Sequence, residues 1–297
     1  MKRRHLLSGL AAALLLAGCA QAPKHTVPDE PLASVPTPAK KPPRIGLVLG
    51  GGAARGFAHI GVIQALEEAG VRPELVVGTS VVAALYASGK GGAELQKIAE
   101  GMDEASLSDW QFPFAKPGML KGEALARFIR TQVSNRQIQD LTMPLGVVAT
   151  DLHNGQAILF QRGDTATAVR ASSAIPAVFQ PVSIAGREYV DGGLVSPVPV
   201  RFARQMGAEL VIAVDISSPI DGNAASDTLQ ILMQTFSIMG RSINAFELSD
   251  ADVVVRPSMA GLVSTSFASR GPAILAGRQA MRASLSQLRS VIQAKSY

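Results

Sequence analysis

The sequence predicts one α/β domain in three layers, with a mainly parallel central sheet flanked by helices. Two consecutive buried strands that each run into a helix are the first indication, because such units imply parallel strands. Composition is the second, since 47% of the 297 residues are hydrophobic and 17% are charged, which suits a large domain with a well-buried core. The 28 glycines are the third, because they suit tight turns between strands and helices.

The N-terminal residues 1–18 have the pattern of an export signal. A basic start at residues 2–4 precedes a short apolar run at residues 10–17, which is too short for a stable membrane span. The run ends in LAGC, which resembles the lipobox of bacterial lipoproteins. Such motifs are cut before the cysteine, here Cys19, which then receives a diacylglyceryl group. Ala20 after it favours the outer membrane, facing the periplasm. The alternative is an ordinary cleaved leader with an accidental cysteine.

A proline-rich tether is predicted over residues 19–43, and the folded domain over residues 44–297. Seven prolines in the tether favour a semi-extended chain with little to bury. Without the three leader cations, 25 basic residues face 23 acidic ones, so nucleic-acid binding has no electrostatic support. Cys19 is the only cysteine, which excludes an internal disulfide.

The domain begins with two strand–helix units. IGLVLGGG, starting at Ile45, predicts a buried strand that runs into glycines, and Phe57–Ala69 predicts an apolar helix. Leu75–Val77 predicts a second strand and Val81–Ala87 a second helix. Further helices are predicted at Glu123–Gln132, Pro199–Met206, within Ser226–Leu248 and at Pro272–Ala294. Further strands are predicted at Leu145–Thr150, Ala157–Phe160 (an edge strand), Glu188–Val190, Leu210–Val214 and Asp252–Arg256.

A glycine-rich loop lies between the first strand and the first helix. N–H groups at such a helix start lack partners and face the positive end of the helix dipole, so the loop can stabilise an anion. Nucleotide-binding loops use the same physics. Here the third glycine comes one residue late for GxGxxG, and the Walker lysine is absent. The residues assigned to this anion site, as an oxyanion hole, are Gly50, Gly51, Gly52, Ala53, Arg55 and Gly56.

Ser80 and Asp191 are the candidate catalytic residues. Ser80 follows a short apolar strand and precedes an apolar helix, which is the setting of a nucleophile elbow. The alternative role for this serine is a helix N-cap. Asp191 ends another strand and precedes two glycines that allow a sharp turn, and its alternative role is an Asx turn.

Other titratable residues are less suited to catalysis. A triad would need a histidine, but His59 lies among apolar residues of the first helix, which predicts a packed core residue. His153 lies beside a predicted turn, which predicts a surface residue. Asp151 and Asp215 also end apolar strands, but neither precedes a glycine pair, so they are candidate structural or supporting acids.

The chain resembles the patatin-like phospholipase family, in the bacterial branch related to the neuropathy target esterase domain. The matching motifs are GGGAARG (50–56), GTS (78–80), ASSAIPAVFQPV (171–182) and DGGLVSPVPV (191–200). The resemblance implies a patatin-like fold, a dyad of Ser80 as nucleophile and Asp191 as base, and hydrolysis of acyl esters in phospholipids or lysophospholipids. It implies no metal and no other cofactor. The expected partners are a lipid substrate and, through Cys19, a membrane, while the oligomeric state is left open.

Two positions depart from the family pattern. The family elbow is GxSxG, but Val81 and Val82 follow Ser80, as if about three residues such as Ala, Gly and Ser were absent. Three residues correspond to about 300° of rotation and about 4.5 Å of rise, so the following helix could re-seat nearly in phase. Ala177 stands where glycine is usual. The altered elbow leaves a second hypothesis open, a catalytically impaired lipid-anchored binding or scaffold protein.

Overall fold

The computed structural model describes residues 40–103, 120–217, 227–259 and 267–297. All of them belong to one compact unit, Lys40–Tyr297. The predicted signal peptide, Cys19 and most of the tether fall in residues 1–39, outside the described residues. Lipidation and the tether therefore remain predictions.

A mixed sheet forms the centre of the domain. Its strands are β1 (Ile45–Leu49), β2 (Leu75–Gly78), β3 (Leu145–Asp151), β4 (Ala157–Phe160), β5 (Val182–Ile184), β6 (Arg187–Asp191), β7 (Leu210–Val214) and β8 (Val253–Val255). Their order is β5-β6-β3-β2-β1-β7-β8, with β4 also paired to β3. The run from β3 to β8 is parallel, whereas β4, β5 and β6 pair antiparallel. The predicted α/β class with a mainly parallel sheet is confirmed.

Helices pack on both faces of this sheet. They are α1 (Ala58–Glu68), α2 (Val81–Ala87), α3 (Gly92–Gly101), α4 (Glu123–Gln132), α5 (Thr165–Ser172), α6 (Val200–Gln205), α7 (Thr228–Glu247) and α8 (Arg270–Lys295). Side chains alternate between faces along β1: Leu47 and Leu49 join a core cluster with α1, α2 and α8, and Val48 joins one with α6. Three layers result. Among the described helices, none combines the length and the apolar character needed to cross a bilayer.

The predicted strands and helices occur within a few residues of their expected bounds. The sequence did not predict α3, α5 or β5. Helix α5 has the sequence TATAVRAS, and its Thr and Ser residues have weak helix propensity. The helix begins because the Asp164 carboxylate accepts a hydrogen bond from the Thr167 N–H, at 2.7 Å.

Helix α8 packs closely against α1, the helix that follows the glycine-rich loop. A Cβ atom on Gly61 would collide with the Ile274 carbonyl, and one on Gly277 would collide with the Ala58 carbonyl. Glycine at both positions therefore allows the two backbones to approach. The crossing fixes the start of α1 and with it the end of the loop.

Candidate active site

The pairing register of β3 brings the two candidate catalytic residues to one place. Val147 of β3 pairs with Gly78 of β2 on one edge and with β4 on the other. Two residues later, Ala149 pairs with Asp191 of β6 and again with β4. Strands β2 and β6 therefore occupy the same edge of β3, end to end. Two residues of strand span about 7 Å, so Ser80, two residues beyond Gly78, reaches the level of Asp191.

Direct contact between the two turns supports this register. A Cβ atom on Gly192 would lie 2.8 Å from Thr79 Cγ2 and would collide with the Val148 carbonyl. Only glycine fits there, because the turn after Asp191 packs against the residue before Ser80. The first glycine of the pair identified in the sequence, Gly192, thus allows the turns to meet.

Ser80 stands at the N-cap position of α2 without acting as a side-chain cap. Its backbone is extended, with φ −139° and ψ 141°, and its side chain makes no capping hydrogen bond. The residue is partly exposed, and a Cβ atom on Gly56 would lie 3.6 Å from Ser80 Oγ. The end of the glycine-rich loop therefore borders the hydroxyl. Among the described residues, no hydrogen bond joins this hydroxyl to Asp191.

Asp191 is held firmly by its surroundings. Its Oδ1 accepts a 2.6 Å hydrogen bond from the Gly193 N–H, so the Asx turn considered as the alternative is present. Its backbone carbonyl accepts from Thr150 Oγ1 at 2.7 Å. Burial of the carboxyl group raises the pKa of Asp191 to about 6, although the Gly193 hydrogen bond opposes that shift. A base with this pKa is ionised at neutral pH and still accepts a proton readily.

Some N–H groups of the glycine-rich loop are already in use. The Gly50 N–H donates to the last carbonyl of β7 at 3.1 Å, and the Gly51 N–H donates to the Pro197 carbonyl at 3.0 Å. The Arg55 N–H donates to the Gly52 carbonyl at 3.1 Å. Within the described ranges, the Gly52 and Ala53 N–H groups have no acceptor. The same is true of the Ala54 N–H, so three consecutive N–H groups of the loop, from Gly52 to Ala54, remain as donors for a ligand.

The positions of Gly52 and Ala53 restrict which residues can occupy them. A Cβ atom on Gly52 would lie 2.7 Å from Ile216 Cδ1, so a side chain at this position would require the Ile216 side chain to move. Ala53 has φ +50°, a left-handed conformation that is strained for alanine. Strain of this kind is often found at functional sites.

Beside the loop lies the Arg55 side chain. Burial lowers the pKa of Arg55, and the negative charge of Asp215 opposes that shift. Arg55 Nε is buried and has no hydrogen-bond partner among the described residues. The guanidinium thus places a positive charge next to the candidate oxyanion site.

His59 is a core residue, as predicted. It is fully buried, and burial lowers its pKa to about 4 although its hydrogen bond to Gly50 opposes the shift. The ring is therefore neutral at neutral pH, and Nε2 donates to the Gly50 carbonyl at 2.8 Å. This contact fixes the first peptide of the glycine-rich loop, a role that sequence reasoning missed because it depends on the fold of the loop.

The remaining candidates have structural roles. His153 is exposed, as predicted. Asp151 is buried and pairs with Arg187 at 2.9 Å, and Asp215 pairs with Arg256 at 3.4 Å. In the part of the chain that the structure describes, no group of three or more His, Cys, Asp or Glu side chains is placed to hold a metal ion.

Comparison with known proteins identifies relatives of the domain. A sequence profile named patatin-like phospholipase matches residues 47–204, slightly more than half of the chain. An uncharacterized NTE family protein of Mycobacterium tuberculosis is 36% identical over 214 residues, covering 70% of this chain and 59% of the relative. Human patatin-like phospholipase domain-containing protein 6 is 37% identical over 185 residues, covering 59% of this chain and 13% of the relative. The match therefore covers 59% of the first relative's length and 13% of the second's, less than two thirds in both cases.

A solved structure supports the fold. The crystal structure of VipD from Legionella pneumophila superimposes with a TM-score of 0.56, covering 84% of this chain and 68% of that protein. The sequence identity is 15%, so this likeness concerns the architecture alone. The profile match includes the glycine-rich loop, Ser80 and Asp191 within its bounds.

Proposed function

The chain belongs to the patatin-like phospholipase family, and from that premise we propose that it is a serine acyl hydrolase acting on ester bonds of membrane lipids. In this proposal Ser80 is the nucleophile, Asp191 is the base, and the glycine-rich loop stabilises the oxyanion. A lysophospholipase of Emericella nidulans, 30% identical over 204 residues, supports a phospholipid or lysophospholipid as the substrate class.

In the first half of the reaction, the enzyme is acylated. The Asp191 carboxylate takes the proton from the Ser80 hydroxyl as the oxygen attacks the ester carbonyl. The carbonyl oxygen becomes an oxyanion, which accepts hydrogen bonds from the Gly52 and Ala53 N–H groups. When the carbon–oxygen ester bond breaks, Asp191 returns the proton to the leaving alcohol. The acyl group remains on the serine.

In the second half, water releases the acyl group. Asp191 takes a proton from water, the resulting hydroxide attacks the acyl carbonyl, and the same two N–H groups stabilise the second oxyanion. The Ser80 oxygen then leaves and regains its proton from Asp191. A fatty acid and the free enzyme result.

The observation that carries the proposal is the common edge of β3, on which β2 and β6 end next to each other. That register makes the Ser80 and Asp191 turns neighbours. The raised pKa of Asp191, about 6, supports its role as the base because a buried carboxylate near neutrality is a competent proton acceptor.

A second candidate function is a lipid-binding or scaffold protein with an impaired catalytic site. The backbone of Ser80 is extended, whereas a nucleophile elbow is a sharp, strained turn. The serine hydroxyl also lacks a hydrogen bond to Asp191 among the described residues. Both observations fit an elbow that has lost residues after Ser80.

The location follows the sequence prediction. We propose that Cys19 carries the lipid anchor, that residues 20–39 form the tether up to the compact unit that begins at Lys40, and that the domain faces the periplasm from the outer membrane. Mass spectrometry of the mature protein tests this proposal. A Cys19 N-terminus with a diacylglyceryl mass supports it, and an unmodified N-terminus at another residue contradicts it.

Hydrolysis of 4-nitrophenyl butyrate tests the proposed dyad. We expect Ser80→Ala and Asp191→Asn each to lower kcat/KM by roughly a thousandfold or more, because dyad members act as a unit. The exposed residues Ser286 and Asp250 provide matched controls, and Ser286→Ala and Asp250→Asn should leave the rate unchanged. Activity that survives either dyad substitution would remove that residue from the mechanism.

A further inference from the structure

The first twelve residues of α7, Thr228–Met239, form an unusual surface. The segment contains no charged residue, and none of its residues is buried. Leu229, Ile231, Ile238 and Met239 are 47%, 56%, 48% and 50% exposed. We call it the apolar segment of α7, and its apolar side chains are those of Leu229, Ile231, Leu232, Met233, Phe236, Ile238 and Met239. Helical spacing places most of these side chains on one broad arc of the helix, and exposed apolar side chains grouped in this way mark an interaction site.

The rest of α7, residues 240–247, packs next to the candidate active site, and we call it the root of the helix. Its buried residues are Gly240, Asn244 and Glu247, spaced to lie on one helix face. A Cβ atom on Gly240 would lie 3.3 Å from Pro197. Glu247 accepts a 2.6 Å hydrogen bond from Ser196 Oγ. The helix is thus rooted in the segment that follows the Asp191 turn.

This root also connects α7 to the glycine-rich loop. The Pro197 carbonyl, beside Gly240, accepts the Gly51 N–H. Asn244 Nδ2 donates to Ser217 Oγ at 2.9 Å, and Ser217 lies just beyond the carboxyl end of β7. Twelve helical residues span about 18 Å. The apolar segment therefore extends from a root at the carboxyl edge of the sheet, where Ser80 and Asp191 lie.

We propose that the apolar segment of α7 docks on the surface of a lipid bilayer and places the candidate active site next to its lipid substrate; the inference rests on the proposed function. A helix that lies in the membrane interface buries an apolar face among the headgroups and acyl chains. The segment presents such a face with no charge to desolvate.

Charges near the root suit a bilayer with anionic headgroups. The Arg201 and Arg256 side chains are 52% and 62% exposed, whereas their acidic partners, Glu247 and Asp215, are 5% and 12% exposed. Arg241 is also exposed. In both ion pairs the outward member is therefore the arginine. At the other end of the segment, the exposed Asp227 carboxylate accepts the N–H of Gln230.

The length of the N-terminal chain is compatible with this docking. The described domain begins at the amino ends of the strands, where the Lys41 N–H donates to the Tyr297 carbonyl at 2.7 Å. Residues 20–39 separate Cys19 from this point. Twenty residues of proline-rich chain reach about 60 Å, whereas five residues of strand span about 17 Å. An anchor at Cys19 therefore permits the carboxyl edge of the sheet to face the bilayer.

A fluorescent probe at Ile231 tests the docking. Cys19→Ser in the full chain gives a cysteine-free background, and Ile231→Cys or Ser286→Cys then accepts an environment-sensitive dye. With phosphatidylcholine–phosphatidylglycerol vesicles, we expect a blue shift and roughly a twofold or larger rise in emission at position 231, and no change at 286. Brominated lipids should quench only the probe at 231. The two labelled variants have the same N-terminal leader, so any binding of the leader to vesicles affects both equally.

Other outcomes overturn the proposal. An unchanged probe at 231, or equal changes at both positions, contradicts docking through α7. Emission that is already blue-shifted without vesicles and depends on protein concentration identifies a second copy of the chain as the occupant. A blue shift that is independent of concentration identifies another segment of the same chain. Repeating the test with Ser80→Ala separates the proposals, because docking survives loss of catalysis.

Discussion

The turn after β6 and the turn after β2 meet in space, but the protein holds them differently. Asp191 is fixed by the Gly193 N–H and by Thr150, and the sequence around it follows the family pattern. Ser80 is the N-cap residue immediately before α2, and its hydroxyl makes no capping hydrogen bond. The proposed base is thus built into the sheet, whereas the position of the proposed nucleophile depends on the length of one short connection.

Because the two turns are held by different contacts, the positions of Ser80 and Asp191 can vary separately. A change of length after Ser80 moves the start of α2 but leaves the pairing between β3 and β6 intact, because that pairing involves other residues. The glycine-rich loop is likewise held from β7 and Pro197. Restoring the connection should therefore affect catalysis and leave the rest of the fold unchanged.

Among the changes that probe the difference between the two turns, lengthening the elbow should have the largest effect. Insertion of Ala-Gly-Ser after Ser80 should raise kcat/KM for 4-nitrophenyl butyrate by roughly a hundredfold, because a misplacement of about 1 Å costs about that much. The same insertion after Gly155, in an exposed turn, is the control and should leave the rate unchanged. A rate that stays the same after the first insertion would mean that the elbow already places Ser80 correctly.

The pH profile examines the base by itself. Asp191 must be ionised to accept a proton, and its pKa is about 6. We expect kcat/KM to fall about tenfold per pH unit below about pH 6 and to level off above it. A midpoint near 4, the ordinary value for an aspartate, would show that burial does not perturb the carboxyl group in solution.

The pH dependence of the free energy of unfolding is a second test of the raised pKa of Asp191. Its folded-state pKa lies above the ordinary value of 3.8, so its contribution to stability is present below about pH 4 and is lost as the pH rises through about 6. Asp191→Asn should therefore raise the free energy of unfolding at pH 8 by about 1–3 kcal/mol and have little effect at pH 3. Urea unfolding at both pH values measures this, with Asp250→Asn as the control. If Asp191→Asn instead lowered the free energy of unfolding at pH 8, burial of the ionised Asp191 carboxylate would not be destabilising.

The smallest expected effect is the change in stability on replacing Ala177, which stands where the family usually has glycine. Ala177 is exposed and has φ +67°, which explains why glycine is usual there. Ala177→Gly should raise the free energy of unfolding by about 0.5–1 kcal/mol, because relief of left-handed strain exceeds the entropy cost of glycine. Ala245→Gly, on an exposed helical position, should lower it by a similar amount. Equal signs for the two substitutions would reject this explanation.

Much of the fold could be predicted because its signals are local. Buried runs such as Ile45–Leu49 and Leu210–Val214 identify strands without knowledge of their neighbours, and the apolar surroundings of His59 identified a core residue. The engagement of the Gly50 and Gly51 N–H groups could not be predicted, since their acceptors lie more than a hundred residues away. The common edge of β3 is likewise a matter of long-range pairing.

Labelling by a fluorophosphonate probe decides whether Ser80 is a working nucleophile, because the probe reacts only with an activated serine. We expect stoichiometric labelling of the purified protein, located on Ser80 by mass spectrometry, and loss of labelling in both Ser80→Ala and Asp191→Asn. No labelling of the native chain, with labelling only after the Ala-Gly-Ser insertion, would contradict an active enzyme and favour the lipid-binding alternative.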